Sequence, residues 1–189
     1  MRTAPAGDSE APGTSHFSIV DAQGDVVSMT TTIESPFGSR VMVRGFLLNN
    51  QLTDFDFVPG SANQAGPRKR PRSSMAPTLV FAPGDAVRMA LGSPGGPAIV
   101  NYVAKTLVAA LDWHLDIQAA IEAPNFGSRN GPTQLERGTP YESLIDDLRA
   151  RNHVVETLPL VSGLHGIERV PGGWRGGADP RREGIAKGD

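Results

Sequence analysis

The chain has 189 residues, with 18 basic against 20 acidic side chains and a formal net charge of -2. That length is one domain or a little more, enough to bury a core, and 39% hydrophobic with 20% charged residues is a globular composition. The absence of cysteine excludes disulfides, a cysteine nucleophile, iron–sulfur clusters and cysteine-ligated zinc. The near-neutral balance argues against a general nucleic-acid binder, and no run of ~18 apolar residues is present to form a membrane span.

Met1–Gly13 is small, polar and proline-bearing, and reads as a flexible leader without the apolar stretch of a signal peptide. His16–Asp21 and Asp25–Ile33 are rich in β-branched residues around Ala22-Gln23-Gly24, which predicts a β-hairpin. Phe46–Leu48 is a short apolar piece, and Phe55–Arg72 is a loop punctuated by Pro59, Gly60, Gly66, Pro67 and Pro71. Thr78–Phe81 and Val87–Leu91 predict a second hairpin around Pro83-Gly84. Gly92–Gly96 then leads into a helix on which Ile99, Tyr102, Val103, Leu107, Ala110 and Leu111 recur at spacings of three and four. Asp116–Ala123 is a short helix ended by Pro124, and Pro140–Asn152 a third, with Tyr141, Leu144, Ile145 and Leu148 on one face. Val154–Leu158, Leu164–Val170 and Gly173–Gly177 read as closing strands. No internal repeat is seen. This order fits a layered α+β fold with stacked antiparallel sheets.

The histidines His16, His114, His153 and His165 show no HxxxH spacing and read as ordinary packed or surface residues, so no metal site is expected. No G-x-S-x-G supports a nucleophile elbow, and Gly92–Gly96 lacks the Lys-Ser/Thr of a phosphate loop. Three features admit both a bland and a chemical reading. Gly13-Thr14-Ser15-His16 is either a strand start or a self-cleavage point. Cleavage there would free an α-amine on Thr14 to act as base for its own hydroxyl. Gly95-Gly96 is either a tight strand-to-helix turn or an oxyanion hole built from helix-start N–H groups. Lys69-Arg70-Pro71-Arg72-Ser73-Ser74-Met75-Ala76-Pro77-Thr78 is either a solvated loop or a carboxylate site built on paired serines.

Five motifs stand in order along the chain: Thr14-Ser15-His16-Phe17-Ser18, Leu48-Asn49-Asn50-Gln51-Leu52-Thr53-Asp54-Phe55, Lys69-Arg70-Pro71-Arg72-Ser73-Ser74-Met75, Gly92-Ser93-Pro94-Gly95-Gly96 and Ala178-Asp179-Pro180-Arg181. With Gly38, they resemble the small, C-terminal subunit of bacterial γ-glutamyltranspeptidase (glutathione hydrolase) from about Thr14 to the end. The resemblance implies an N-terminal-nucleophile hydrolase, half of an αββα sandwich, with residues 14–189 as the small-subunit domain behind a leader of residues 1–13. It implies that Thr14 is the nucleophile, freed by autocleavage, with Thr32 hydrogen-bonded to it. Gly95 and Gly96 are implied as the oxyanion-hole glycines. Ser73 and Ser74 would hold the substrate α-carboxylate, and Gln51 and Asp54 would lie around its α-amino group. Glu34 stands where many members carry asparagine; a carboxylate facing an ammonium suits the same task.

The activity so implied is γ-glutamyl transfer and hydrolysis, on glutathione or other γ-glutamyl amides, with an amino acid, a peptide or water as acceptor. No cofactor is implied. The large subunit, which in the family supplies the other half of the sandwich and a carboxylate-binding arginine, is absent from this sequence, so a fragment, a separately encoded small subunit or a truncated gene product is expected, with a large subunit as its partner. Between Phe55 and Lys69 the chain is short, and the tyrosine-bearing lid of some members is missing, which implies an open site for larger donors. Two alternatives stand beside this reading: an acylase of the same lineage, which Asp54 and Glu34 disfavour, and a catalytically silent assembly subunit that never loses its leader.

Overall fold

A computed structural model describes residues 13–188 of the chain. Apart from Gly13, the expected leader lies outside the described residues. Contacts divide the chain into two units. One comprises Thr31–Ser73 with the stretch ending at Thr14, and the other comprises Ser15–Thr30 with Ser74–Asp189.

The second unit is built on a four-stranded antiparallel sheet of β5 (Thr78–Phe81), β6 (Val87–Gly92), β10 (His165–Val170) and β11 (Gly173–Ala178), in the order β11-β10-β6-β5. The β5–β6 turn lies at the expected Pro83-Gly84, where Gly84 takes φ +85 and Ala82 N donates to Ala86 O at 2.8 Å. Helices α1 (Ile99–Leu111) and α2 (Ile117–Glu122) bring Ile99, Tyr102, Val103, Ile117 and Ile121 into one core with Met89, Leu91 and Leu164. Each such side chain stabilises the fold by roughly 1.5–3 kcal/mol when fully buried. Helix α2 is short and is fixed at both ends. Asp116 caps its start by accepting from Ala119 N at 2.9 Å. At its end the Lys105 ammonium donates to the carbonyls of Ala120, Ile121 and Ala123 at 3.0–3.1 Å. The Arg181 guanidinium reaches the carbonyls of Ile121, Glu122 and Ala123, while its other N–H groups hold Glu136 and Asp179. Cations suit this end of a helix because its last carbonyls have no intrahelical donors.

Two expectations are corrected here. The sheets are not all antiparallel: β7 (Phe126–Gly127), β8 (Thr133–Glu136) and β9 (Val155–Leu158) form a separate sheet in which β8 and β9 run parallel. The third helix is not continuous over Pro140–Asn152. A 3-10 turn at Pro140–Leu144 leads into α3 (Ile145–Ala150), and left-handed Asn152, at φ +66, ends it.

The first hairpin, β1 (Thr14–Val20) with β2 (Val26–Thr32), has its turn set by Asp21, whose carboxylate accepts from Gln23 N and Asp25 N at 2.9 Å. The polarity of the hairpin is inverted. His16, Ser18, Ser28 and Thr30 are the more sheltered residues, whereas Phe17, Ile19, Val27 and Met29 are exposed. Ser28 Oγ donates to Leu91 O of β6 at 3.0 Å. The open end of the hairpin, Thr14 with Thr31–Thr32, belongs to the first unit.

That first unit is mostly loop. Its strands β3 (Met42–Val43) and β4 (Phe46–Leu47) are joined through Arg44 and Gly45, both at positive φ. A 3-10 turn follows at Gln51–Asp54.

Candidate active site

In the first unit the sheet register places two hydroxyls side by side. Thr14 Oγ1 donates to Thr32 Oγ1 at 3.1 Å, although 18 residues separate them. Thr32 Oγ1 in turn donates to the carbonyl oxygen of Gly13 at 3.4 Å and accepts from Glu34 N at 2.8 Å. A hydroxyl has one donor and two acceptor positions, and all three are used. The bond between Gly13 and Thr14 is thus bracketed by one fully engaged hydroxyl. Gly13 admits no side chain in this arrangement, since a Cβ there would lie 2.7 Å from Glu34 O and 2.9 Å from the Ser35 carbonyl carbon.

Glu34 turns the chain at a left-handed φ of +75, and its carboxylate accepts from Ser35 Oγ at 2.8 Å and Asn50 Nδ2 at 2.9 Å. Asn50 also accepts from Ser35 N at 3.0 Å and donates its own N–H to Ile33 O at 3.2 Å. Asn50 therefore ties the Glu34 turn to the start of the 3-10 turn that carries Gln51 and Asp54. Gln51 Nε2 donates to the Asp54 carboxylate. Two carboxylates thus stand on segments of one unit that Asn50 joins. Asn50 and Ser35 were not singled out from the sequence as site residues; an asparagine that joins two loops leaves no periodic signal. Ser73 closes this unit as an exposed residue, and half-buried Ser74 opens the other; both lie in the irregular stretch before β5.

In the second unit the glycine pair begins the way into α1. Gly95 has φ +142 and Gly96 φ +55. A Cβ on Gly95 would lie 2.6 Å from Tyr102 Cε2, so the position is closed to side chains by both its conformation and its neighbour. Buried Ser93 holds the preceding turn, donating to Pro94 O at 2.6 Å and accepting from Gly163 N at 3.2 Å. The N–H groups of Gly95 and Gly96 find no acceptor among the described residues, and both glycines are partly open to solvent. Two fixed, unengaged donors at a helix start are what a developing oxyanion requires.

His16, read from the sequence as an ordinary packed residue, is 5% exposed. Its Nδ1 meets Thr30 Oγ1 at 2.9 Å and its Nε2 meets Ser18 Oγ at 3.2 Å. Its ring packs against Gly92, where a Cβ would stand 2.4 Å from Cε1. Burial, with a smaller contribution from His165, lowers its pKa to about 4, so the ring is neutral at physiological pH. Among the described residues no cluster of histidine, aspartate or glutamate could hold a metal ion, and no helix is long and apolar enough to cross a membrane.

A family model described as Gamma-glutamyltranspeptidase matches residues 2–189. The chain is 39% identical over 181 residues to a glutathione hydrolase proenzyme of Bacillus subtilis (strain 168), covering 93% of this chain and 30% of that protein. It is 36% identical over 179 residues to the acylase ACY 1 proenzyme of Pseudomonas sp. (strain SE83), covering 93% of this chain and 32% of that one. The chain thus spans about 30% of the length of these curated relatives. A crystal structure of a Helicobacter pylori gamma-glutamyltranspeptidase mutant superposes with a TM-score of 0.81 at 32% identity, covering 88% of this chain and 99% of that chain. This agrees with the expected α+β half-sandwich of the N-terminal-nucleophile hydrolases. The chain belongs to the γ-glutamyltranspeptidase family.

Proposed function

We infer that this chain carries the nucleophile of a γ-glutamyltranspeptidase, acting with a large subunit on glutathione or other γ-glutamyl amides. The observation that carries this reading is the run of hydrogen bonds from Thr14 Oγ1 through Thr32 Oγ1 to the Gly13 carbonyl oxygen. Thr14 Oγ attacks the Gly13 carbonyl carbon and passes its proton towards Thr32, which already donates to the oxygen that gains charge. The nitrogen of Thr14 takes up that proton as the C–N bond breaks, the acyl group moves from N to O, and water hydrolyses the ester, leaving a carboxylate on Gly13 and restoring the Thr14 hydroxyl. Residues held this close react in an effectively unimolecular step.

The product begins at Thr14 with a free α-amine, whose unperturbed pKa of about 7.7–8 suits a general base. This amine takes the proton of the Thr14 hydroxyl as the latter attacks the γ-amide of the donor, then gives it to the departing amine. The N–H groups of Gly95 and Gly96 stabilise the tetrahedral intermediate. Water or an acceptor amine or peptide resolves the γ-glutamyl ester. Ser73 and Ser74 hold the α-carboxylate of the donor, and Glu34, Gln51 and Asp54 take its α-ammonium.

The test is co-production with a family large subunit. Mass spectrometry should then find a 176-residue product beginning at Thr14, and the assembled protein should release p-nitroaniline from γ-glutamyl-p-nitroanilide. Thr14→Ala should lose both, and Thr14→Ser should keep part of each; an assembled Thr14→Ala protein with full turnover would overturn the mechanism. The 36% identity to an acylase supports a second reading, glutaryl-type amide hydrolysis. Asp54→Asn separates the two. Removing one partner of a buried charge-assisted pair costs roughly 2–5 kcal/mol, so γ-glutamyl donors should suffer and glutaryl donors should not.

A further inference from the structure

The hairpin between β7 and β8 carries a dipeptide that the activity does not use. Asn130-Gly131 is the only Asn-Gly among the seven asparagines of the chain. It lies in a bend over residues 129–132, exposed at Asn130 and Gly131, where Ser128 Oγ donates to Gly131 O at 2.9 Å. Neither the Asn130 side chain nor the Gly131 N–H is engaged in a hydrogen bond among the described residues. The carboxamides of Asn50, Asn63 and Asn125, by contrast, are held by hydrogen bonds. Asn130 has φ +59, so its backbone already sits outside the ordinary helical and extended regions.

We propose that Asn130–Gly131 is a self-modification site at which the chain deamidates. The Gly131 nitrogen, after losing its proton, attacks Asn130 Cγ. The bond from Cγ to the side-chain nitrogen breaks, ammonia leaves, and a five-membered imide forms. Water opens the imide at either carbonyl, giving aspartate or isoaspartate, so the net change is one water consumed and one ammonia released. Glycine favours the closure because no Cβ shields its nitrogen. The product adds one negative charge to a chain of formal charge -2. That charge arises beside a groove lined by Gly131, Thr133, Arg151 and His153, of which Arg151 carries a positive charge. In isoaspartate the main chain runs through the extra methylene, which lengthens the hairpin tip without disturbing a buried contact.

The structure also provides the control. A Cβ on Gly131 meets nothing within 4 Å and its φ is not positive, so Gly131→Ala folds without strain. The purified chain is incubated at neutral pH and physiological temperature, and its peptides are mapped by mass spectrometry with electron-transfer fragmentation. Conversion should be confined to Asn130, with aspartate and isoaspartate both present. It should slow roughly tenfold or more in Gly131→Ala, about 1.4 kcal/mol of barrier, and be absent in Asn130→Gln, while melting temperatures stay unchanged. Two results would overturn the proposal: Asn130 intact in the folded chain while the same residues in a synthetic peptide convert, or conversion led by another asparagine such as Asn152. Neither result bears on γ-glutamyl transfer, which uses none of these residues.

Discussion

At the scale of single residues, the Thr14–Thr32–Gly13 corner sets the sharpest expectations. Thr32→Val removes the hydroxyl that joins the proposed nucleophile to the carbonyl of the proposed cleavage point and leaves Glu34 N without its acceptor. Thr32 donates to the Gly13 carbonyl oxygen that would gain charge, and losing one such donor costs roughly 10²–10³ in rate, so cleavage of the assembled protein should fall by about that factor. Gly13→Val tests the other side of the corner. Its side chain would push on the Glu34–Ser35 backbone. Cleavage should slow, whereas a chain produced to start at Thr14 never contains residue 13 and should turn over normally. At the glycine pair, Gly95→Ala meets both a positive φ and the Tyr102 ring. Losing one oxyanion donor costs roughly 10²–10³ in kcat, and unchanged kcat in the assembled variant would remove Gly95 from that role.

His16 gives a pH dependence whose sign is fixed by its burial. Its pKa is lowered in the folded chain to about 4 from 6.5. Between those values the unfolded chain binds the proton and the folded chain does not, so stability is lost as pH falls through that window. The groups around the ring are Thr30, Ser18, Gly92 and His165. Between pH 7 and pH 5 the loss is about 2 kcal/mol from this group alone. Urea denaturation at both values should show it in the native chain, and His16→Gln should flatten the difference. An equal loss in His16→Gln would assign the effect to another group.

At the scale of elements, some were plain in the sequence and some were not, for physical reasons. The β5–β6 hairpin was legible because Pro83-Gly84 separates two largely apolar runs, and α1 because its apolar residues recur at helical spacing. Strands β7 and β8 were not, since β8 offers one deeply buried apolar residue, Leu135 at 2% exposure. Its parallel pairing with β9 is set by the crossover rather than by local pattern. The Thr14–Thr32 pair was implied only by resemblance, because strand register, not spacing, brings its hydroxyls together. Asn50 and Ser93 were missed as joints between loops. Helix α2 was legible through Asp116 and Pro124, and the cap can be tested directly. Asp116→Ala should cost about 1 kcal/mol and lower the melting temperature. Arg175 also faces Asp116 at 3.7 Å, an exposed ion pair that adds little.

For the whole molecule, the inverted polarity of the first hairpin is the feature that an isolated chain does not explain. Apart from Val20 and Val26 beside the turn, its more sheltered positions carry polar residues such as His16, Ser18, Ser28 and Thr30, while Phe17, Ile19, Val27 and Met29 are 39–53% exposed. Alternation along a strand puts one face in a core and one in water, and here the apolar face is the uncovered one. Contiguous apolar surface of this kind marks an interaction site. In the function proposed above the occupant is the large subunit, whose counterpart in the family completes the sandwich. Burying four such side chains would contribute roughly 25 cal/mol per Å² of apolar area removed from water, against the cost of association. Ile19→Asp with Met29→Asp places two carboxylates on that face and touches none of the proposed catalytic or binding residues. The doubly substituted chain should melt within a few degrees of the native chain, since the substituted positions already face solvent. It should fail to co-purify with the large subunit, and cleavage before Thr14 should disappear with assembly. Normal assembly of the doubly substituted chain would show that the large subunit docks elsewhere, and loss of the chain's own melting transition would show that the face is instead part of its own core.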